Sequence, residues 1–451
     1  MKAKTHWGRR RLRAWKFEID MGVPNSFTNK PKHQPTQGCI TAYLVVLGCL
    51  FTLSGGAQAQ GANQPGVADW VNAVLTSHPL VGARREEARA AEADVRAARW
   101  QYWPTPSVTV DTLRGQAATV TRLSQPVWDG GKISAGVRQS DIRLRLATLN
   151  LRETEHELAA KVLGFWQTHS VQAARLQVFE RGLQSLQDLD ELMSRRTDAG
   201  VSAQADLTLA RVRLMQTRAD LLQARASQTS ALGQLRQLAQ QEPAGRPVDA
   251  TPWVADVEAG VERLRELARA QHPVVDRLTW QRELQQAELD AFKAELWPTV
   301  SLRAERQHGQ IDGLMAEGRR FYASLQYSLG AGVSVLPKLE AVQVRLRALE
   351  QQQEGTLKEL DERLLQDWND YAALRLRLPD LDSVKEAARE LTESSKRLFV
   401  TGRKSWLDLQ NAVREQLQAE LALAEAQAQM RALQYRLALH AGQGFWRAGL
   451  E

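Results

Sequence analysis

The chain repeats itself at long range. His78-Pro79 is followed by Trp103-Pro104-Thr105, and His272-Pro273 by Trp297-Pro298-Thr299, with one shared step from histidine to tryptophan. Further on, Gly200 precedes Asp206-Leu207 and Gly402 precedes Asp408-Leu409, again at one shared spacing. The offset between the copies is roughly two hundred residues, far beyond the ~20–50 of a solenoid unit, so each copy is one large supersecondary assembly. Such a chain folds as two like halves, and its function has to be sought in that architecture.

Within a half, the hydrophobic period changes in a fixed order. Val67 to Arg99 reads as helix, carrying Trp70, Val74, Leu75 and Leu80 before an Ala-rich stretch. Pro104 and Pro106 stop it, because proline lacks an N–H and clashes with the preceding turn. Ser107 to Asp111 and a run around Thr119 to Val127 then alternate apolar and polar, which predicts a hairpin over 107–128. After Trp128-Asp129-Gly130-Gly131, a helical pattern runs from Lys132 to Thr197 without proline. At 1.5 Å per residue that is ~100 Å. Gly200 suits a left-handed helix end, and a return helix covers Gln204 to Gln240.

The second half predicts the same series: helix Val257–Leu296, hairpin 299–329, long helix Leu336–Val400, turn at Gly402 and return helix Trp406–Ala441. Pro379 falls inside the long helix and is expected to kink it. Two helices laid end to end match one long helix in length, so each half can pack one long helix against two shorter ones. These features divide the chain into a leader (1–59), a first repeat (60–241), a proline- and glycine-rich linker (242–256), a second repeat (257–441) and a tail (442–451).

Charge points to export. The net charge is +7, yet Lys and Arg before Gln60 face only Glu18 and Asp20, and the remainder balances. A neutral body has no electrostatic footprint for nucleic acid. Lys30 and Lys32 precede an apolar run from Ile40 to Leu53, and Ala57-Gln58-Ala59 offers a small-x-small cleavage site at Ala57 and Ala59, with Met21 as an alternative start. Cys39 and Cys49, the only 2 cysteines, fall in the leader. The mature protein therefore has no disulfide or cysteine–metal site. Nowhere else does an apolar run approach the ~18–20 residues of a membrane helix.

The strand faces decide the environment. Phe321, Ala323, Leu325, Tyr327 and Leu329 form one apolar face, and Tyr322, Ser324, Gln326 and Ser328 the other. Val108 and Val110, and Val300 and Leu302, alternate in the same way. Four short strands beside helices of ~100 Å have no compact core within reach, so an apolar-out, polar-in arrangement fits an outer-membrane barrel. Open edges are not tolerated in lipid. Identical copies must close them, and three copies supply twelve strands.

At this point the sequence resembles the TolC-like outer membrane efflux family, over essentially the whole mature chain. The carrying residues are the two His-Pro…Trp-Pro blocks, Gln125-Pro126-Val127-Trp128-Asp129-Gly130-Gly131, and the two Gly-x5-Asp-Leu segments. The resemblance implies a mainly helical chain with a small β part. It also implies a homotrimeric twelve-stranded β-barrel continued by a long helical barrel into the periplasm, and an equatorial belt built from linker and tail. The implied partners are a periplasmic adaptor and an inner-membrane ABC exporter or proton-driven pump. No cofactor or metal is implied. Tyr327-Ser328-Leu329-Gly330-Ala331-Gly332 looks like the branch that serves type I secretion of large adhesins, with drug or metal efflux as the other reading.

By resemblance, Lys404 takes the place of a basic latch residue at the periplasmic entrance, Asp408 that of a constriction carboxylate, and Asp206 that of the acidic partner across coils. Asn411 stands where a second carboxylate is common, a departure that weakens the acidic ring. Gly200 and Gly402 mark the helix-turn tips that would meet the adaptor. From residues alone, Asp408 is equally a charge at a helix N-terminus. His78 and His272 read as helix-end residues, and Trp103 and Trp297 as interface or corner residues. No His-Glu-x-x-His, Walker loop or Gly-x-Ser-x-Gly elbow is present, which argues against an enzyme.

Overall fold

The computed structural model describes residues 65–113, 116–240, 243, 254–311, 314–315, 318–327 and 335–446. The first half runs α1 (Val67–Ser77), α2 (Pro79–Trp100), β1 (Thr105–Leu113), β2 (Gln116–Trp128), α3 (Lys132–Asp198) and α4 (Gln204–Ala239). The second runs α5 (Val254–Glu258), α6 (Val261–Gln271), α7 (Pro273–Glu295), β3 (Thr299–Ile311), β4 (Leu314–Met315), β5 (Gly318–Gln326), α8 (Val335–Val400) and α9 (Trp406–His440). The leader, most of the linker, Leu329 and the far end of the tail lie outside the described residues, as do Ala57 and Ala59.

Two expectations need correction. The helix expected over Val67–Arg99 is two helices, broken at His78, and that over Val257–Leu296 starts within α5 and is broken at Gly260 and again at His272. His78 and His272 cap the second piece of each pair. Their Nδ1 atoms accept from the N–H of Leu80 at 3.2 Å and of Val274 at 3.3 Å, and Pro79 and Pro273 occupy the first turn. Proline is tolerated there because its missing N–H would have no helical partner. The spacing of apolar residues carries across such a joint, so periodicity alone reads it as continuous. Pro379, by contrast, does not end α8, which runs 66 residues through it.

The long helices, α3 at 67 residues and α8 at 66, span ~100 Å each at 1.5 Å per residue. α3 packs on α4 over one part of its length and on α2 over another, and α8 packs on α9 and α7 in the same manner. Buried residues in α4 step through Leu207, Ala210, Thr217, Leu221, Ala224, Ala231 and Leu235. Those in α9 step through Leu409, Ala412, Ala419, Leu423, Ala426, Leu433 and Leu437. Steps of three, seven and four residues keep to a heptad-type seam, and small residues on it let the partner helix approach. The main core lies at mid-length. Val67, Trp70, Val71 and Val74 of α1, Leu158 and Val162 of α3, Leu364 of α8 and Leu437 of α9 meet Phe445 and Trp446 of the tail there. Arg436 also reaches Asp367 at 2.8 Å, joining α9 to α8 across this region.

The sheet order is β1-β2-β3-β5, all antiparallel, with β4 paired only to the far end of β3. β1 and β5 each use one edge, and their outer edges pair with no described strand.

Candidate functional site

Two regions carry the sequence-derived candidates: the helix-turn tips and the sheet.

The tips are built alike. α3 ends with Gly200 at φ 71 and α8 with Gly402 at φ 75. In the first, the N–H of Val201 bonds the carbonyl of Arg196 at 2.8 Å and that of Gly200 the carbonyl of Thr197 at 2.9 Å. In the second, Arg403 bonds Leu398 at 2.9 Å and Gly402 bonds Phe399 at 3.0 Å. This is the Schellman closure, in which a left-handed residue lets two N–H groups satisfy the last carbonyls. Asp206 and Asp408 then fall in the first turns of α4 and α9. Ser405 and Asp408 cap each other: Ser405 Oγ accepts from the Asp408 N–H at 3.1 Å and donates to Asp408 Oδ2 at 2.7 Å. These bonds, with Lys404 nearby, hold the Asp408 carboxyl below the usual carboxylate range. Lys404 Nζ donates to the buried Ser395 Oγ at 2.8 Å, and within one chain it does not pair with Asp206. Asn411 sits exposed on α9.

Sequence reasoning missed what joins the tips. Leu186, Leu189 and Met193 of α3 and Leu207 of α4 form one buried cluster with Phe399, Trp406 and Leu409 of the other half. The Arg196 guanidinium lies 4.8 Å from the centre of the Phe399 ring, a cation–π contact. Phe399 and Trp406, which flank the Gly402 turn, were the available signal.

The sheet register sorts the strand candidates onto one face. Val108 lies opposite Thr121 and Val110 opposite Thr119. Leu302 lies opposite Ala323, and Val300 opposite Leu325. Thr121 faces Arg306 and Leu123 faces Ala304, which in turn faces Phe321. Cross-strand partners share a face. Val108, Val110, Val300, Leu302, Phe321, Ala323 and Leu325 therefore project together, and Tyr327 follows just past β5. Phe321 is 81% exposed, while Ser301 on the opposite face is 7% exposed. At its centre this inverts a soluble sheet, since the apolar side is bare while Ser301 and Glu305 of β3 are buried on the polar side. The covered side carries Glu305, ion-paired to Arg122.

At the sheet's base, Asp129 Oδ1 accepts from Gly131 N–H at 3.0 Å and Oδ2 from Ile133 N–H at 2.6 Å, turning β2 into α3. Gly130, at φ 68, packs so closely on Trp297 that any Cβ would overlap its side chain. Trp297 stacks edge-on to Trp128 at 6.1 Å, while Trp103 packs on Trp100 at 6.3 Å. Both Trp103 and Trp297 remain more exposed than buried. No described helix is long and apolar enough to cross a membrane, and the described residues hold no cluster that could bind a metal ion.

Residues 70–240 match the outer membrane efflux protein family. No curated protein matches the chain. Among solved structures it is similar to CusC, from a study of folding and transmembrane channel formation (TM-score 0.70, 14% identity, covering 84% of this chain and 92% of that one). It is similar to the outer membrane protein VceC of Vibrio cholerae (TM-score 0.68, 16% identity, 84% and 96%). It also resembles the open state of the MtrE outer membrane channel of Neisseria gonorrhoeae (TM-score 0.67, 17% identity, 84% and 90%). In sequence over that segment, and in fold over most of its length, the chain resembles the TolC-like outer membrane efflux proteins.

Proposed function

We propose that the chain is the outer-membrane channel of a tripartite export system. It works as a homotrimer that passively conducts cargo delivered by an inner-membrane pump through a periplasmic adaptor. One observation carries the reading: a four-stranded sheet with a bare apolar face and two outer edges that pair with no described strand, joined to helices of ~100 Å. In lipid those edges must be closed by further copies. Val108, Val110, Val300, Leu302, Phe321, Ala323, Leu325 and Tyr327 then face acyl chains, and the Arg122–Glu305 side lines water. Energy comes from the pump, since the sequence carries no nucleotide-binding Walker loop.

For cargo we propose type I secretion of a large protein, supported by the Tyr327–Gly332 segment; drug or metal efflux through the same kind of tunnel is the other reading. A chromosomal neighbour encoding a peptidase-like ABC exporter and a giant repeat protein supports the first, and a proton-driven pump the second. The channel itself is tested by extraction from outer membranes. A trimer that dissociates only on heating and conducts in planar bilayers is expected. A monomer soluble without detergent and silent in bilayers sinks the proposal.

At the tips, three Asp408 carboxylates drawn near the axis would concentrate negative potential and favour cations. We expect Lys404→Ala combined with Asp408→Ala to raise single-channel conductance and antibiotic sensitivity. Ser405→Ala separates charge from capping. It removes the cap, worth about 1 kcal/mol, but keeps the carboxylate, so conductance should stay at the wild-type value. An equal rise in both variants would assign the effect to loss of tip order.

A further inference from the structure

The bare sheet face is not apolar throughout. Above the row Leu123–Ala304–Phe321, one step nearer the strand tips, stands Thr121–Arg306–Arg319, with Arg306 on β3 directly opposite both neighbours. Strands lie about 4.8 Å apart, so the row presents a hydroxyl and two guanidinium groups across roughly 10 Å. Like charges directly opposite one another destabilise a strand pair, and an arginine on a lipid-facing surface adds a cost that depends on its depth. The other face handles its cations differently. Arg122 pairs with Glu305, Arg303 donates to Gln326 at 3.4 Å, and Arg320 donates to Gln307 at 2.9 Å. Arg306 and Arg319 have no hydrogen-bond or ion-pair partner among the described residues, and both are exposed.

A cation pair without a partner among the described residues, held one row beyond the apolar Leu123–Ala304–Phe321 row, is complementary to an anion at the level of lipid headgroups. We propose that Thr121, Arg306 and Arg319 form a binding site for the phosphate of a phosphorylated glycolipid in the outer leaflet, with Ala304, Phe321 and Leu302 below it against the acyl chains. Guanidinium groups suit this role because their forked donors match phosphate oxygens. The site rests on the outer-membrane reading above. In each trimer it would occur three times around the rim, tying the channel to the outer leaflet.

The test uses the full-length detergent-solubilised trimer and three probes: a bis-phosphorylated lipid A glycolipid, the same glycolipid after enzymatic dephosphorylation, and inorganic phosphate. Native mass spectrometry and equilibrium binding are expected to show at least tenfold tighter binding of the phosphorylated form. Arg306→Gln combined with Arg319→Gln should abolish that preference, and Arg306→Lys with Arg319→Lys should keep part of it. Equal binding of the two glycolipids by the wild type overturns the site, even where the glutamine variant fails to fold. A preference that survives in a folded glutamine variant overturns it too. Full displacement of the lipid by millimolar inorganic phosphate would reassign the residues to free phosphate. Wild-type protein that neither trimerises nor conducts removes the channel reading itself, a result separate from these.

Discussion

Lowering the pH from 6.5 to 4 is expected to cost the fold about 3 kcal/mol through His272 alone. Its Nδ1 accepts the Val274 N–H, capping α7. That bond requires a neutral ring, since a protonated imidazole has only donors. Burial, the nearby His440 and the Arg363 guanidinium all oppose the charged form and bring the pKa down from 6.5 to about 4. Its neighbour His440 is itself lowered, chiefly by burial and against the pull of Asp367 at 3.5 Å, and the His156 ring packs 5.8 Å from that of His272. Between the two pKa values the unfolded chain holds the proton and the folded chain does not, so stability rises with pH across that window. It is complete above 6.5 and lost as pH falls towards 4. At about 1.4 kcal/mol per unit the shift corresponds to the ~3 kcal/mol stated. His272→Asn keeps a capping side chain that cannot titrate. Denaturant midpoints at pH 7.5, 5.5 and 4.5 should fall steeply for the wild type and shallowly for the variant; parallel slopes would refute the assignment.

The histidine was visible in the sequence as a helix-end residue, but its titration was not. The fall in pKa comes first from burial and then from His440 and Arg363, residues far apart in sequence that meet it only when α8 and α9 pack against the α6–α7 joint. The same division runs through the molecule. Long helices and strands were legible because their periods are local: α3 begins at Lys132, where the pattern changes after Gly130-Gly131. That Val108, Val110, Val300, Leu302, Phe321, Ala323 and Leu325 fall on one face of their strands was legible because alternation fixes a face, although the register that unites β1, β2, β3 and β5 is a property of the folded sheet. The breaks at His78 and His272 were missed because apolar spacing survives a proline placed at a helix start. At the tips, the role of Asp408 as a helix-terminal charge was readable from Ser405 three residues earlier. The bond from Lys404 to Ser395 was not, because it crosses the turn, and neither was the docking of Arg196 on Phe399.

Gly442 shows the same limit with a larger consequence. Gly200, Gly402 and Gly442 all follow long helices and all adopt positive φ, at 71, 75 and 81. In sequence they are equivalent helix stops, and alanine at any of them costs about 1 kcal/mol for the left-handed backbone. Their surroundings differ. A Cβ at Gly200 or Gly402 would meet nothing within 4 Å. At Gly442 it would meet the backbone of Gln271 and His272 at 2.8 to 2.9 Å, atoms that cannot rotate away. Those atoms form the joint between α6 and α7, so an added methyl would drive the end of α9 off the capped histidine. Overpacking adds typically 1–3 kcal/mol to the backbone term, and about 3 kcal/mol in total is expected for Gly442→Ala. Two readouts distinguish it from the tip variants. Gly442→Ala should lower the thermal midpoint strongly and raise hydrogen exchange around Val274, where the α7 cap is displaced. Gly200→Ala and Gly402→Ala should lower the midpoint slightly and raise exchange only at the tips. Equal losses at all three positions would show that backbone conformation alone sets the cost, and that the contact of Gly442 with the His272 joint contributes nothing.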